Sequence, residues 1–131
     1  MREKRIELAE HILPGHPDKL CDAAVDTIVD YVRHRDPLGQ CGLEASCVFD
    51  AIHLTGRIAA EERVLEGLEG KLEALVRDAY KTAGYGLDEA GYLWGPVPED
   101  LKVTTNFCFG PLSGEERQNR HLSDDQAICI G

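Results

Sequence analysis

The sequence has few basic residues. Its 131 residues include 14 Lys and Arg against 24 Asp and Glu, so the formal net charge is −10. Nucleic acids and anionic membranes attract proteins through basic patches, so this balance argues against both kinds of partner. Hydrophobic residues nevertheless make up 43% of the chain, which is enough for a folded core. We therefore expect residues 1–131 to form a single domain.

Paired cysteine spacing is also missing. The five cysteines include no CxxC pair and no Cys/His set with metal-ligand spacing. Most of them fall within apolar patterns, where a free thiol behaves as a small hydrophobic side chain. No apolar run is long enough for a signal peptide or a membrane span. These absences predict a cytoplasmic protein with reduced thiols, no disulfide framework and no membrane segment.

The spacing of the apolar residues predicts an α+β domain. Helical spacing extends over residues 17 to about 34 and again over 60–83. Strand alternation covers residues 5–12, 42–49, 51–58 and 101–109. The Gly- and Pro-rich residues 85–100 predict loops, in which Trp94 is expected to pack in the core, with an aromatic ligand platform as the alternative. We predict a mixed β-sheet with the two long helices packed on one face.

The most informative stretch is Gly15-His16-Pro17-Asp18-Lys19, which stands directly before the first helical pattern and is called the signature below. Gly15 allows backbone angles that other residues resist, and Pro17 suits the first helical position. Asp18 then falls in the first turn, where the helix dipole favours an anion. His16 can shuttle a proton or donate a hydrogen bond, and Lys19 can reach a phosphate. This set suits a metal-bound polyphosphate; an ordinary helix start is the alternative.

The signature resembles the opening of the S-adenosylmethionine synthetases, or methionine adenosyltransferases, in which the same five residues lie between a strand and a helix. The resemblance implies a transferase that moves adenosyl from ATP to methionine or a related thioether, with release of phosphate and diphosphate. It implies Mg²⁺ and K⁺ as cofactors. It assigns His16 and Lys19 to catalysis, and Glu10, Gly15, His16 and Lys19 to nucleotide binding, although Glu10 reads equally well as a solvated strand-end acid.

The resemblance assigns further residues along the chain. Asp18 is implied for Mg²⁺, and Glu44 matches a family Glu that helps bind a monovalent cation, although a lone polar strand residue is usually just the wet face. Asp125 and Gln126 match an Asp-Gln pair of which the Asp contacts substrate. The polar residues 110–123 predict a loop and fall where the family has a mobile loop that gates the active site.

The sequence departs from the family pattern on the methionine side. Where the family has Gly-Gly-Glu, this chain has Thr55-Gly56-Arg57, and Leu112 replaces a substrate-contacting Gln. Val48-Phe49-Asp50 replaces a Lys-Thr-Gly, and the glycines expected before Asp125 are missing. These changes favour a second hypothesis, a catalytically inactive nucleotide-binding regulatory or interaction subunit. In either case we expect a homo-oligomer or a partner chain that completes the site.

Overall fold

The computed structural model describes residues 7–118 of the chain. Its helices are α1 (Pro17–Arg35), α2 (Glu62–Leu65), α3 (Glu69–Thr82) and α4 (Gly114–Gln118), with a 3₁₀ turn at Pro98–Asp100. Its strands are β1 (Gln40–Val48), β2 (Ala51–Ala59), β3 (Gly86–Leu87), β4 (Leu93–Trp94) and β5 (Lys102–Gly110). Within this part of the chain, no helix is both long enough and apolar enough to span a membrane.

The main sheet has three strands in the order β1-β2-β5. β1 and β2 form an antiparallel hairpin, whereas β2 and β5 run parallel. A parallel pair needs a crossover connection, and here α2 and α3 supply its helical part. β3 and β4 form a separate two-stranded hairpin. The predicted mixed sheet is confirmed.

The core lies between the sheet and the two long helices, which also pack against each other. Buried residues recur every three or four positions on the helices, namely Leu20, Ala24, Ile28 and Val32 of α1 and Leu72, Val76, Ala79 and Tyr80 of α3. They meet alternate strand residues, namely Leu43 of β1 and Ile52, Leu54 and Ile58 of β2. The predicted packing of two long helices on one sheet face is therefore confirmed.

The opposite face of the sheet, called the open face below, carries the other alternate residues. The strand register places Glu44 beside Thr55 and Thr55 beside Asn106, so that one polar row crosses all three strands. In the next row, His53 Nδ1 lies 2.8 Å from Thr104 Oγ1. Four of these five residues are exposed, because α1 and α3 both pack on the other face.

Two predicted elements differ from the structure. Residues 7–13 form neither helix nor strand, so the strand predicted over residues 5–12 is wrong in its described part. The helix predicted over residues 60–83 is divided into α2 and α3. Gly67 lies between them with a φ of +71°, a left-handed conformation that breaks the helical hydrogen-bond pattern.

Two aromatic side chains lie at the surface, and one of them, Trp94, was expected in the core. Trp94 is 56% exposed, and its indole Nε1 donates to Asp88 Oδ2 at 2.8 Å. Asp88 Oδ1 also accepts from Tyr92 N at 2.8 Å, so polar contacts rather than core packing organise this hairpin. Phe49, the last residue of the strand predicted over 42–49, is 87% exposed in the β1–β2 turn with a φ of +53°. The core interpretation of Trp94 is wrong.

The chain after β5 is more ordered than predicted. Residues 110–123 were expected to form a polar loop, but residues 114–118 form α4, and residues 119–123 lie outside the described range. A reciprocal cap starts this helix: Glu116 N donates to Ser113 Oγ at 3.1 Å, and Ser113 N donates to Glu116 Oε2 at 2.7 Å. This Ser-x-x-Glu capping box explains why the segment is helical.

Candidate functional site

The signature forms a tight turn followed by the first turn of α1. His16 N donates to Leu13 O at 2.9 Å, and Leu20 N donates to His16 O at 2.9 Å as the first helical bond. His16 is the N-cap residue, and its Nδ1 accepts from Asp18 N at 3.2 Å. Because Nδ1 acts as an acceptor, the neutral ring carries its proton on Nε2. The imidazole therefore caps the helix and keeps one N–H donor for another group.

The polar side chains of the signature lie at the surface. Pro17 is the first residue of α1 and Asp18 is in its first turn, as predicted. The Asp18 side chain is 78% exposed, and its Oδ2 lies 3.8 Å from Nδ1 of the half-exposed His16. Lys19 is exposed directly beside it. One helical turn thus presents an imidazole, a carboxylate and an ammonium at the positive end of the helix dipole.

A groove of about 360 Å³ opens between the start of α1 and β1. Its lining comes from both elements: Pro17, Asp18, Cys21 and Asp22 from α1, and Ala45, Ser46 and Cys47 from β1. The two walls touch where Cys47 Sγ lies 3.5 Å from Pro17 O. Burial, together with the neighbouring Cys47 thiol, raises the pKa of Cys21 to about 12, so this thiol stays protonated at neutral pH. The groove therefore combines exposed carboxylates with an uncharged inner side.

Tyr85 supports the signature from a distant part of the chain. Its Oη donates to Gly15 O at 2.8 Å, across 70 sequence positions. A Cβ on residue 15 would lie 3.1 Å from Tyr85 Oη and 3.5 Å from the Tyr85 ring. Gly15 does not adopt a positive φ, so close approach of Tyr85, rather than the predicted backbone freedom, explains the glycine here. Sequence reasoning missed Tyr85 because no local pattern links it to the signature.

The remaining predicted site residues are not gathered at the groove. Glu10 is exposed in the irregular segment before the signature. Glu44 lies on the open face, which is opposite to the face on which α1 packs. Asp125 and Gln126 lie outside the described residues. The structure therefore brings together Gly15, His16, Asp18 and Lys19, but places Glu44 on another surface.

The donor set fits a cation that is held largely by a bound phosphate. Among residues 7–118, no group of three or more His, Cys, Asp or Glu side chains could hold a metal ion. Mg²⁺ in phosphate sites typically takes one or two carboxylates and completes its shell with water and phosphate oxygens. Asp18 and Asp22, one turn apart on the groove, can supply those carboxylates.

Comparison with known proteins decides the family. Residues 4–104 match the sequence profile of the domain described as S-adenosylmethionine synthetase, N-terminal domain. The chain belongs to the S-adenosylmethionine synthetase family. The resemblance read from the signature is thereby confirmed, and the mixed α+β architecture described above is consistent with this family domain.

Several curated relatives of this family are similar to the chain, and each is named S-adenosylmethionine synthase. The protein of Corynebacterium urealyticum is 32% identical over 139 residues, which cover 98% of this chain and 33% of the relative. The protein of Corynebacterium glutamicum is 30% identical over 88 residues, which cover 67% of this chain and 20% of the relative. The protein of Methylobacterium radiotolerans is 32% identical over 93 residues, which cover 71% of this chain and 22% of the relative. The chain thus spans between a fifth and a third of the length of these relatives.

Arg57 forms an ion pair with Glu116. It stands where the S-adenosylmethionine synthetase pattern has an acid. Its Nη1 lies 2.7 Å from Glu116 Oε1. This hydrogen bond and those to Ser113 lower the pKa of Glu116 to about 2, so the pair is charged at neutral pH. Gln40 Nε2 also donates to Glu116 O at 3.1 Å, which holds α4 against the end of the sheet. Leu112, at the position of the family's Gln, is buried just before this helix.

Proposed function

We propose that this chain forms the nucleotide and metal side of an S-adenosylmethionine synthetase active site. That site transfers the adenosyl group of ATP to methionine or a related thioether, and releases phosphate and diphosphate. The observation that carries the proposal is the exposure of His16, Asp18 and Lys19 within one turn at the positive end of α1, beside a groove. Because the chain spans at most a third of its relatives' length, a partner chain or further segment completes the site.

The proposed chemistry is a displacement at the ribose C5′. The sulfur lone pair forms the S–C5′ bond while the C5′–O bond breaks, and its electron pair leaves with the triphosphate oxygen. His16, capped through Nδ1, offers its Nε2 proton as a hydrogen bond to that oxygen as charge develops on it. Lys19 binds a phosphate oxygen, and Gly15 and Glu10 contact the nucleotide. Water then cleaves the triphosphate, and Asp125 and Gln126 place the substrate.

The proposed metal ligands follow from the same arrangement. Asp18, with Asp22 one turn further on, holds Mg²⁺ at the groove, and Glu44, in one row with Thr55 and Asn106, holds K⁺ through oxygen ligands. When bound, Mg²⁺ offsets the negative charge of the phosphates. This charge matters because the chain itself carries −10 and would otherwise repel a triphosphate.

The test of the proposal is Asp18→Asn. We expect calorimetry to show that the 131-residue chain binds ATP in the presence of Mg²⁺, and that the variant loses this binding by at least about tenfold, since one of only one or two carboxylate ligands is removed. The fold should survive, because loss of the dipole interaction costs at most about 1 kcal/mol. Circular dichroism of the variant checks that point.

Asp26→Asn is the matched control. Asp26 lies on the same face of α1, two turns from Asp18, and is exposed but does not line the groove. Asp26→Asn removes the same charge as Asp18→Asn, so an effect of net charge alone would be equal in both variants. It would strengthen binding rather than weaken it, because a less acidic chain repels the anionic nucleotide less. An Asp18→Asn protein that binds Mg-ATP as tightly as the parent would leave the carboxylate as a dipole partner and remove the main support for the site.

A catalytically inactive nucleotide-binding regulatory or interaction subunit is the second candidate. The Arg57–Glu116 ion pair and the buried Leu112 favour it, because both lie at positions that belong to the methionine side of the family pattern. Calorimetry with Mg-ATP, with and without methionine, separates the two candidates. ATP binding that methionine does not change, with no S-adenosylmethionine detected by mass spectrometry in the presence of the completing partner, would favour the subunit.

A further inference from the structure

Tyr85 makes a contact with the signature that fixes a whole peptide group. The carbonyl oxygen of Gly15 and the N–H of His16 belong to the same planar peptide unit. Tyr85 Oη donates to that oxygen at 2.8 Å, and the N–H donates to Leu13 O at 2.9 Å. Because both ends of the unit are bonded, rotation about its neighbouring backbone angles is restricted. One of those angles is the φ of His16, which is −66° in the capping conformation.

The tyrosine that makes this contact is itself anchored. Its ring is tilted against the ring of Tyr80, with the two centroids 5.7 Å apart. Tyr80 belongs to the last turns of α3, and its side chain is fully buried in the core. Tyr85 therefore connects the rigid core to a turn in which Leu13, Pro14 and His16 are exposed.

The geometry points to Tyr85 as a positioning residue for His16. Its hydroxyl holds the Gly15–His16 peptide in place, and this preserves the hydrogen bond from Asp18 N to His16 Nδ1. The imidazole ring is thereby fixed, and so is the direction of its Nε2 proton. The effect on ligand binding rests on the proposed function, whereas the effect on the turn does not. Tyr85 touches no reacting atom in this scheme, and it acts only through the histidine.

The experiment compares Tyr85→Phe with Tyr80→Phe in the full 131-residue chain. Both variants remove one phenolic hydroxyl from the same pair of tilted, contacting rings. The Tyr85 hydroxyl donates to the signature backbone, whereas the Tyr80 hydroxyl is buried without a geometric hydrogen bond and has the Cys47 and Cys21 thiols as its neighbours. Tyr80→Phe therefore controls for general loss of a hydroxyl in this part of the core, while leaving the peptide contact intact.

Two readouts report on His16 rather than on overall stability. Nitrogen NMR of the His16 ring follows the tautomer and the Nδ1 hydrogen bond, and amide exchange follows the Asp18 N–H. We expect Tyr85→Phe to speed exchange of the Asp18 amide proton and to raise the Kd for inorganic tripolyphosphate with Mg²⁺. Each change should be roughly three- to tenfold, because that factor corresponds to the loss of one hydrogen bond. We expect Tyr80→Phe to change neither, and the melting temperature of each variant is recorded separately.

A second variant tests the same contact from the other side. A Cβ at residue 15 would lie 3.1 Å from Tyr85 Oη, so Gly15→Ala should displace the hydroxyl and reproduce the effect of Tyr85→Phe. Combining both changes should then add little, because each removes the same contact. Additive effects would show that the two residues act independently.

The outcomes are separable. Unchanged His16 nitrogen shifts and unchanged Asp18 exchange in Tyr85→Phe would overturn the positioning role, as would an equal change in Tyr80→Phe. A parent chain that binds neither tripolyphosphate nor ATP would overturn the proposed function. In that case the ring and amide measurements still decide whether Tyr85 positions His16.

Discussion

Asp36 stands where α1 ends, and only 2% of its surface is exposed. Its Oδ1 accepts from Leu38 N at 3.0 Å, and its Oδ2 accepts from Glu61 N at 2.9 Å. Arg117 Nη2 lies 3.4 Å from the same Oδ2. One carboxylate thus joins the end of α1 to the residues that start α2 and to α4, so it should matter for stability.

The pKa of Asp36 gives the sign of its pH dependence. Burial alone raises this pKa, but the hydrogen bonds from Glu61 and Leu38 and the Arg117 charge outweigh it and hold the pKa below its usual value. An acid with a lower pKa in the folded state stabilises the fold when ionised. Its contribution is complete above the unfolded pKa, near 3.9, and is lost as the pH falls through the folded value.

We predict that Asp36→Asn lowers the free energy of unfolding by about 2 kcal/mol at pH 7, because the amide keeps one acceptor and turns an N–H₂ toward a backbone donor. The difference from the parent should shrink as the pH falls below about 4, where the parent carboxylate becomes protonated. Urea denaturation at pH 7 and pH 3 measures both. Asp30→Asn, at an exposed position of α1, should leave the free energy of unfolding within about 0.5 kcal/mol of the parent at both pH values. Equal stability of Asp36→Asn and the parent at pH 7 would contradict the prediction.

Residue-level rules predicted part of the candidate site. Pro17 at the first helical position and Asp18 in the first turn follow from local helix chemistry, and both are confirmed. The cap by His16 was not predicted, because histidine is not among the usual N-cap residues. The Tyr85 contact was not predictable either, since it forms only when the α3–β3 connection folds back on the signature. The roles assigned to Asp125 and Gln126 remain predictions.

At the scale of elements, two glycines that the sequence treats alike have different positions. Both fall within the helix predicted over residues 60–83, where glycine weakens a helix relative to alanine. Gly67 lies between α2 and α3 with a φ of +71°, whereas Gly70 lies inside α3. An added Cβ would meet no atom within 4 Å at either position, so only backbone conformation separates them.

We therefore predict opposite effects for the two alanine substitutions. Gly67→Ala should lower the free energy of unfolding by about 1 kcal/mol, because an alanine resists the left-handed conformation. Gly70→Ala should raise it by about 0.5 kcal/mol or more, because alanine favours the helix over the unfolded chain. Chemical denaturation of both variants beside the parent measures the signs, and changes of the same sign would contradict this account.

Apolar periodicity predicted the large elements well. The helix predicted over residues 17–34 and the strands over 42–49, 51–58 and 101–109 agree with α1, β1, β2 and β5 to within two residues. Side-chain contacts with the backbone decide the elements that were missed, since Asp88 organises the β3–β4 hairpin and the Ser113–Glu116 cap starts α4. Such elements depend on a few polar bonds, which a hydrophobic pattern does not record.

At the scale of the whole molecule, the sheet has two unlike faces. α1 and α3 cover one face. The open face carries short, uncharged polar side chains in its middle, namely Ser46, Thr55, Thr104 and Asn106, beside Glu44 and His53, and it carries Val48, Arg57, Lys102 and Cys108 nearer its ends. Short side chains allow another chain to approach the strands closely, and a sheet in a layered domain is commonly covered on both faces or left wet on one. The open face is thus the part of the described surface that we expect to be an interface.

Net charge sets the conditions under which such an interface would form. Two copies that each carry −10 repel at long range, and salt screens that repulsion over about 10 Å at 0.1 M. Association through the open face should therefore strengthen as salt is added. An assembly held mainly by exposed ion pairs would weaken instead, so the salt dependence distinguishes the two kinds of contact.

We predict that light scattering at tens of micromolar gives at least twice the 14.5 kDa mass of one chain, and that the larger species gains population between low and moderate salt. Asn106→Arg should shift the protein to the monomer, because a long charged side chain would have to be buried in the centre of the open face. Thr82→Arg makes the same change of charge on the exposed last turn of α3 and should leave the assembly intact. A parent that stays monomeric at every salt concentration would show that the open face is simply solvated, and that Glu44 needs no second chain to complete its surroundings.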